Sequence, residues 1–391
     1  MRTRRTFLND AGQMGMALAA SRLLPAPLGN YIEQAEQVIK GKEQLIVRSL
    51  NPDNLETPVG LLKSWVTPTE LFYVRDHLPT PEKPGGDWRL TVDGEVNTPL
   101  KLSLDDLKKF PKVTNAVTME CAGNGRAFMV PAATGVQWEK GAVGTARWSG
   151  VRLAEVLQKA GAKPGAKFVI FDGADKATEK TPDFIRQVPI AKALDADTLL
   201  AYEINGEPLP LLHGYPVRVI APGWIGAYSV KWLEHITVTA HENDGYFTKT
   251  AYRLPIHPVA PGAKVEPTEM APVYDLIVKS VISSPVEGSA LKAGSTVRVA
   301  GWAWAGKTKI TKVEISPDSG ATWATARLGQ EHGKYTWREF EFDWKPSQPG
   351  SFLIMSRATD EQGRSQPIIG QWNPQGYMWN FIDRVRVEVK G

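Results

Sequence analysis

Cys121 is the only cysteine in 391 residues, and it lies in "TMECAGNGR" (118–126). A thiolate binds soft or high-valent metals, and it stays deprotonated only in a positive environment. Arg126, five residues on, supplies one such charge. The small residues between the two let the backbone come close to a bulky ligand. A second segment, "FYVRDHLPTP" (72–81), adds Arg75 and His77, two apart and so on one face of a strand. A third, "HGYPVRVIAPGWIGAYSVKW" (213–232), adds His213, Arg218 and Lys231, donors suited to a phosphate-like anion. Each segment alone is equally compatible with packing, since an isolated cysteine is usually a small buried hydrophobe.

These segments need elements to hold them. "KVTNAVTMEC" alternates and is rich in β-formers, which puts Cys121 at a strand's end; "AGNGR" then turns. "DWRLTVDGEV" (87–96) reads as a strand with a turn at Asp93-Gly94. "LSLDDLKKFP" (102–111) reads as a short helix capped by Ser103 and stopped by Pro111, and "VRLAEVLQKAGAKPG" (151–165) as a helix with a glycine stop. "KFVIFDGAD" (167–175) is a buried strand ending at Asp175. Residues 188–206 read as helix, strand and a hairpin turn at Asn205-Gly206. "NYIEQAEQVIKGKEQ" predicts an earlier helix. Five prolines in "LPIHPVAPGAKVEPTEMAP" mark a linker near 255–272. Beyond it, short alternating segments separated by turn signals predict an all-β sandwich. The overall expectation is an α+β chain with an N-terminal segment at 1–29, one domain over 30–265 and a β-sandwich over 266–391.

Composition narrows the function. Lys+Arg 46 against Asp+Glu 42 is too balanced for a nucleic-acid binder. One cysteine excludes an intrachain disulfide, a CxxC zinc site and a covalent c-type haem. No run of 18 apolar residues reads as a transmembrane helix. "MRTRRTFLND", with Arg4-Arg5 ahead of a short apolar run, fits a twin-arginine export signal and hence a periplasmic protein.

Taken together, the three basic segments resemble the sulfite oxidase family of molybdenum enzymes. "CAGNGR" is similar to the family's "CAGNRR"-type loop, and "FYVRDHLPTP" to its "F-V-R-N-H-L-P-V-P" strand. "LLAYEINGEPLPLLHGYPVRVIAPGWIGAYSVKWL" resembles its longest run, and "GVQW…GTARWSGVRL" its connecting segment. The resemblance covers about residues 60–255, and more loosely 270–391, the family's Ig-like dimerisation domain. It implies a molybdenum–molybdopterin cofactor with Cys121 as metal ligand. It further implies cofactor contacts from Tyr73, Arg75, Asp175, His213, Arg218, Ser229, Val230 and Lys231. Arg75, His77, Arg126 and Tyr252 match the substrate pocket, and Trp138 matches a pocket wall.

The implied reaction is oxidation of sulfite to sulfate by oxygen-atom transfer, with Arg75 and Arg126 holding the anion and Tyr252 bonding an oxygen. No haem domain accompanies the chain, so electrons pass to a partner, expected to be a c-type cytochrome, or to oxygen. The expected assembly is a homodimer. Two positions depart from the animal pattern. Gly125 stands where an arginine is common, and Gln375 stands where an arginine of the C-terminal domain enters the pocket. Rival readings are a sulfoxide or oxyanion reductase of the same fold, and an exported binding protein without catalysis.

Overall fold

The structure, a computed structural model, describes residues 39–391. The expected export segment and most of the helix expected from residue 30 lie outside the described residues; residues 39–44 hold turns rather than helix. Residues 44–391 form one compact unit.

Two five-stranded sheets build most of the first part, beside a three-stranded one of Ile46–Leu50, Asp53–Glu56 and Val74–Arg75. In one, Glu207–Pro208, Leu199–Ile204, Val143–Arg152 and Val113–Glu120 are antiparallel neighbours, and Arg218–Ile220 pairs with the start of Leu199–Ile204. In the other, Leu100–Leu102, Leu90–Gly94, Leu233–Thr239, Phe168–Gly173 and Arg186–Pro189 lie side by side. Only the Leu90–Gly94 and Leu233–Thr239 pair is parallel. Period-two burial drives these strands: Leu90 and Val92 are buried while Thr91 and Asp93 stay half-exposed. Gly94 closes its strand at φ +83°, where an added Cβ would sit 2.2 Å from the Val238 carbonyl oxygen.

The short helices fall where their caps predict, with shorter spans. Ser103 accepts from Asp106 N and caps Leu104–Leu107 in a full capping box. Leu153–Ala160 ends on Gly161 in the left-handed conformation. Val151 and Arg152 belong instead to the strand before it, because they pair in register with Leu200 and Leu199. The Asn205-Gly206 turn has φ of 53° and 90°. Both central residues are left-handed, as a type I′ hairpin turn requires.

The C-terminal part is a sandwich of two sheets. One holds Lys279–Ser284, Val297–Trp304, Arg338–Trp344 and Arg327–Leu328. The other holds Ser289–Lys292, Asp383–Lys390, Gly350–Asp360, Ile310–Ser316 and Ala324–Thr325. Val299, Ile315, Phe340, Ile354 and Val387 fill the space between them. The proline-rich linker is pinned at its neck, where Arg253–Pro255 pairs with Met270–Pro272.

Tryptophans join the two parts. Trp302, Trp304 and Trp337 of the sandwich belong to the same apolar core as Leu90, Val143 and Phe171. Their indole N–H groups donate across the boundary, Trp302 to the Leu62 carbonyl at 2.8 Å and Trp337 to the Trp65 carbonyl at 2.7 Å. Trp304 donates to Glu120 Oε2 at 2.7 Å, next to the lone cysteine. A large apolar ring with one donor fits such a boundary, because it buries area and satisfies a stranded carbonyl together.

Candidate active site

Cys121 follows directly on the strand Val113–Glu120, and its N–H extends the ladder to the Ala142 carbonyl at 3.0 Å. The chain then turns, with Asn124 N donating to the Cys121 carbonyl at 2.9 Å. Asn124 also staples the loop through its side chain. Its Nδ2 donates to Glu120 Oε1 at 2.9 Å, and its Oδ1 accepts from Ala142 N at 3.1 Å. From the C-terminal part, buried Lys279 donates to Glu120 Oε1 at 2.7 Å and to the Asn124 carbonyl at 2.9 Å. Both sheets' owners therefore grip the loop that carries the thiol.

The glycines of this loop serve a narrower purpose than clearance for a ligand. Gly125 has φ +98°, and a Cβ there would lie 2.6 Å from the Trp379 ring. A Cβ at Gly123 would lie 2.6 Å from the Arg126 guanidinium. The departure at Gly125 thus goes with a tryptophan of the C-terminal part that occupies the side-chain space.

Beside Cys121 lies a narrow chamber. Tyr73, Arg75, Asp175, His213, Arg218, Ser229 and Lys231 line it together with Cys121, His77 and Tyr252. The strand Arg218–Ile220 delivers Arg218, whose Nη1 donates to the His213 carbonyl at 3.0 Å and whose Nη2 donates to the Ser229 carbonyl at 2.8 Å. Its Nε has no partner, and no carboxylate pairs with it among the described residues. Burial pushes the Arg218 guanidinium down to about 10. A buried cation lacking a counter-ion is expensive, and an incoming anion relieves it. Lys231 is paired with Asp76 and also donates to the Leu212 carbonyl at 2.9 Å. Burial drives Asp76 up and Lys231 down, and their contact opposes both shifts. Asp175 lies two residues past the end of its strand, and burial raises its carboxyl to about 7. The donor set is therefore a soft thiol, an uncountered guanidinium and a carboxyl able to hold a proton. It suits an anionic heterocyclic ligand carrying a thiophilic metal.

Two sequence-based placements change, that of Trp138 and the shared face of Arg75 and His77. Trp138 is fully buried behind Tyr73, with ring centroids 6.4 Å apart, and does not line the chamber. Val230 turns its side chain into the main core, and its carbonyl accepts from Val219 N at 2.8 Å, so the backbone contact expected of it falls to its N–H. The strand bearing Arg75 ends there, so His77 lies beyond it and the shared-face argument fails. Both side chains nonetheless reach the chamber.

An open cleft meets the chamber from outside. Arg75, His77, Cys121 and Tyr252 line both, so the thiol stands at the junction. Arg126, Gln375, Tyr377 and Lys180 belong to the cleft alone. Arg126 is buried and held by the Gln375 carbonyl at 3.0 Å and the Val136 carbonyl at 2.8 Å, and it lies 5.2 Å from the Tyr377 ring centre. The Gln375 side chain turns away to the Thr250 carbonyl at 3.0 Å. The Tyr252 hydroxyl and His77 Nε2 are 2.5 Å apart. Burial raises the Tyr252 phenol, with the neighbouring Arg75 opposing, so it keeps its proton. Burial, then the charges of Arg75, Arg186, Lys231 and Arg126, push His77 well down, so its ring is neutral.

Sequence reasoning passed over Asp76, Arg186 and Tyr377. Asp76 carried a signal, because it stands where the resembled strand has asparagine. Arg186 and Tyr377 carried none, since their roles come from packing across distant segments.

Residues 77–247 match the Oxidoreductase molybdopterin binding domain, and residues 270–390 match the Mo-co oxidoreductase dimerisation domain. Mitochondrial sulfite oxidase of Rattus norvegicus is 37% identical over 362 residues, which is 88% of this chain and 66% of that protein. Sulfite oxidase of Arabidopsis thaliana is 34% identical over 369 residues, covering 87% of this chain and 93% of that one. The chain thus spans about two thirds of the animal relative's length and nearly all of the plant one. The sulfane dehydrogenase SoxCD from Paracoccus pantotrophus superposes with a TM-score of 0.74 at 27% identity, covering 98% of this chain and 96% of that chain. With the site's donor set and the Arabidopsis thaliana relative spanned almost end to end, the chain belongs to the sulfite oxidase family of molybdopterin oxidoreductases.

Proposed function

We propose that this protein oxidises sulfite to sulfate. The observation that carries the reading is the junction, where one thiol stands between a chamber lined by buried Arg218, Lys231 and His213 and a cleft lined by two guanidinium groups and a phenol–imidazole pair. Molybdenum–molybdopterin, the family's cofactor, supplies oxygen-atom transfer and accepts two electrons when bound. Cys121 would hold the metal; Arg218, Lys231 and His213 would hold the anionic end, with Asp175 and Ser229 beside the pterin.

The chain's own residues do the rest. Arg75 Nη1 is tied to Asn54 Oδ1 at 3.3 Å and to the Asp76 carbonyl, which aims its remaining N–H groups at the cleft. Arg126 is fixed by its two carbonyl acceptors, so both cations are set before an oxyanion arrives. Tyr252 donates to that oxyanion when the neutral His77 donates Nε2–H to the phenolic oxygen; in the other tautomer Nε2 accepts the phenol's proton, and the phenolic oxygen is left as an acceptor.

The electron acceptor in this reading is a c-type cytochrome, the assembly a homodimer through residues 270–390, and the location the periplasm. The matched dimerisation domain supports the second, and Arg4-Arg5 supports the third. A second reading, oxidation of a sulfane sulfur, is favoured by the near-complete superposition on SoxCD and by a cleft with Gln375 in place of an arginine. Steady-state assays with sulfite and with thiosulfate decide between them, using cytochrome c, ferricyanide and oxygen as acceptors. Sulfite turnover with cytochrome c is expected. Turnover of a sulfane donor alone would replace the first reading with the second.

A further inference from the structure

Arg186 lies in neither the chamber nor the cleft, yet it is a buried charge beside both. It opens the strand Arg186–Pro189, at the edge of the second sheet. Its guanidinium carbon stands 4.3 Å from the Tyr228 ring centre and 4.8 Å from the Tyr252 ring centre. No carboxylate pairs with it among the described residues, and its Nε and Nη1 have no partner. A small cavity behind Tyr252 receives this edge, and Thr248, whose hydroxyl is also unpartnered, lines it too.

Tyr252 is therefore enclosed. Tyr377 stacks on it with centroids 5.2 Å apart and planes 4° apart, so Arg186 must take another side of the ring. The sequence of contacts runs Arg126, Tyr377, Tyr252, Arg186, Tyr228, so the stacked tyrosine pair lies between two cations. Tyr252 also needs holding, because its backbone sits at φ +56°, an uncommon region for a bulky residue.

We propose that Arg186 is a positioning residue that clamps the Tyr252 ring and lends the anion pocket a third, indirect positive charge. It acts through Tyr252 and touches neither substrate nor cofactor. No salt bridge neutralises it, and Glu242, which lines the same small cavity, is paired with Lys249, so its field reaches the pocket only partly screened. The tyrosine faces offset part of the cost of burying it.

This role rests on the anion reading of the cleft, and the test separates the two. Purified holoenzyme is titrated with sulfate by calorimetry, and sulfite kinetics are recorded in parallel for wild type, Arg186→Met and Arg186→Lys. Arg186→Met is expected to weaken sulfate binding about ten-fold and to raise the sulfite KM more than it lowers kcat. Arg186→Lys, which restores the charge, is expected to recover most of that loss at the same melting temperature as Arg186→Met. Equal sulfate affinity in wild type and both variants overturns the role while leaving the anion reading intact. A wild type that binds no sulfate and turns over no sulfite overturns both. If Arg186→Met does not fold, Arg186→Lys alone decides: affinity within two-fold of wild type supports the charge role, and a ten-fold loss contradicts it.

Discussion

Tyr377 of the C-terminal sandwich lies flat against Tyr252 of the molybdopterin-binding part, with ring planes 4° apart. The two come from segments that the sequence assigns to different domains. The cleft is therefore completed by the sandwich, which also supplies the carbonyl that holds Arg126 and the lysine that holds the Cys121 loop.

Replacing Tyr377 with leucine should loosen Tyr252 without removing it. An aromatic pair of this kind contributes about 0.5–1.5 kcal/mol beyond area burial. The expected effect is a fall in kcat/KM for sulfite of roughly three- to ten-fold, read by steady-state kinetics. Unchanged kinetics would show that the stack is ornamental to the reaction.

Tyr252→Phe keeps the ring and its stack but removes the hydroxyl that faces His77. If the phenol donates to the oxyanion and handles its proton, kcat should drop on the order of 10²-fold and KM should rise. A variant with wild-type kcat would remove Tyr252 from the chemistry.

Lys279 and Glu120 are both buried, and the pair is 2.7 Å apart. Lys279→Met strands a carboxylate, which costs about 3–5 kcal/mol where no other compensation exists. Glu120 retains donors in Asn124 and Trp304, so the lower end applies. Denaturant unfolding should show the loss, and the double variant Lys279→Met/Glu120→Gln should recover a good part of it. A single variant as stable as wild type would contradict the account of how the Cys121 loop is held.

Asp175 gives a pH signature. Its carboxyl sits at about 7 in the folded protein against 3.8 unperturbed, mainly through burial. Between those values the folded state holds a proton that the unfolded state has released. Wild-type stability therefore falls as pH rises from about 4 to about 7, then levels off. Asp175→Asn should abolish this component. In cofactor-free protein, its unfolding free energy relative to wild type should rise across that window, by at most roughly 3–4 kcal/mol. A pH-independent difference would place Asp175 in a more solvated setting than the structure gives it.

Much of the site was legible because it is written in long local runs. Cys121 at a strand's end, and Arg218 with Lys231 in one continuous segment, needed only strand alternation and turn chemistry to be placed. Trp138 went astray because a residue's type does not say which face of a wall it occupies; it backs Tyr73 instead of facing the chamber. The side chain of Val230 faces the core while its neighbours Ser229 and Lys231 line the chamber, as alternation along the chain gives. Lys279 meets Glu120 across 159 residues, and Tyr377 meets Tyr252 from the far side of a proline-rich linker. No periodicity records such contacts. They exist only once Trp302, Trp304 and Trp337 of the sandwich have packed into the core of the first part.

The central claim is that Cys121 holds the metal of a sulfite-oxidising centre. Cys121→Ser tests it most directly, with metal analysis and sulfite kinetics on the same preparation. The account predicts a folded protein with wild-type melting temperature, pterin retained and sulfite turnover lost by several orders of magnitude. Wild-type turnover in that variant, or a native protein that oxidises sulfite with no stoichiometric molybdenum, would contradict it.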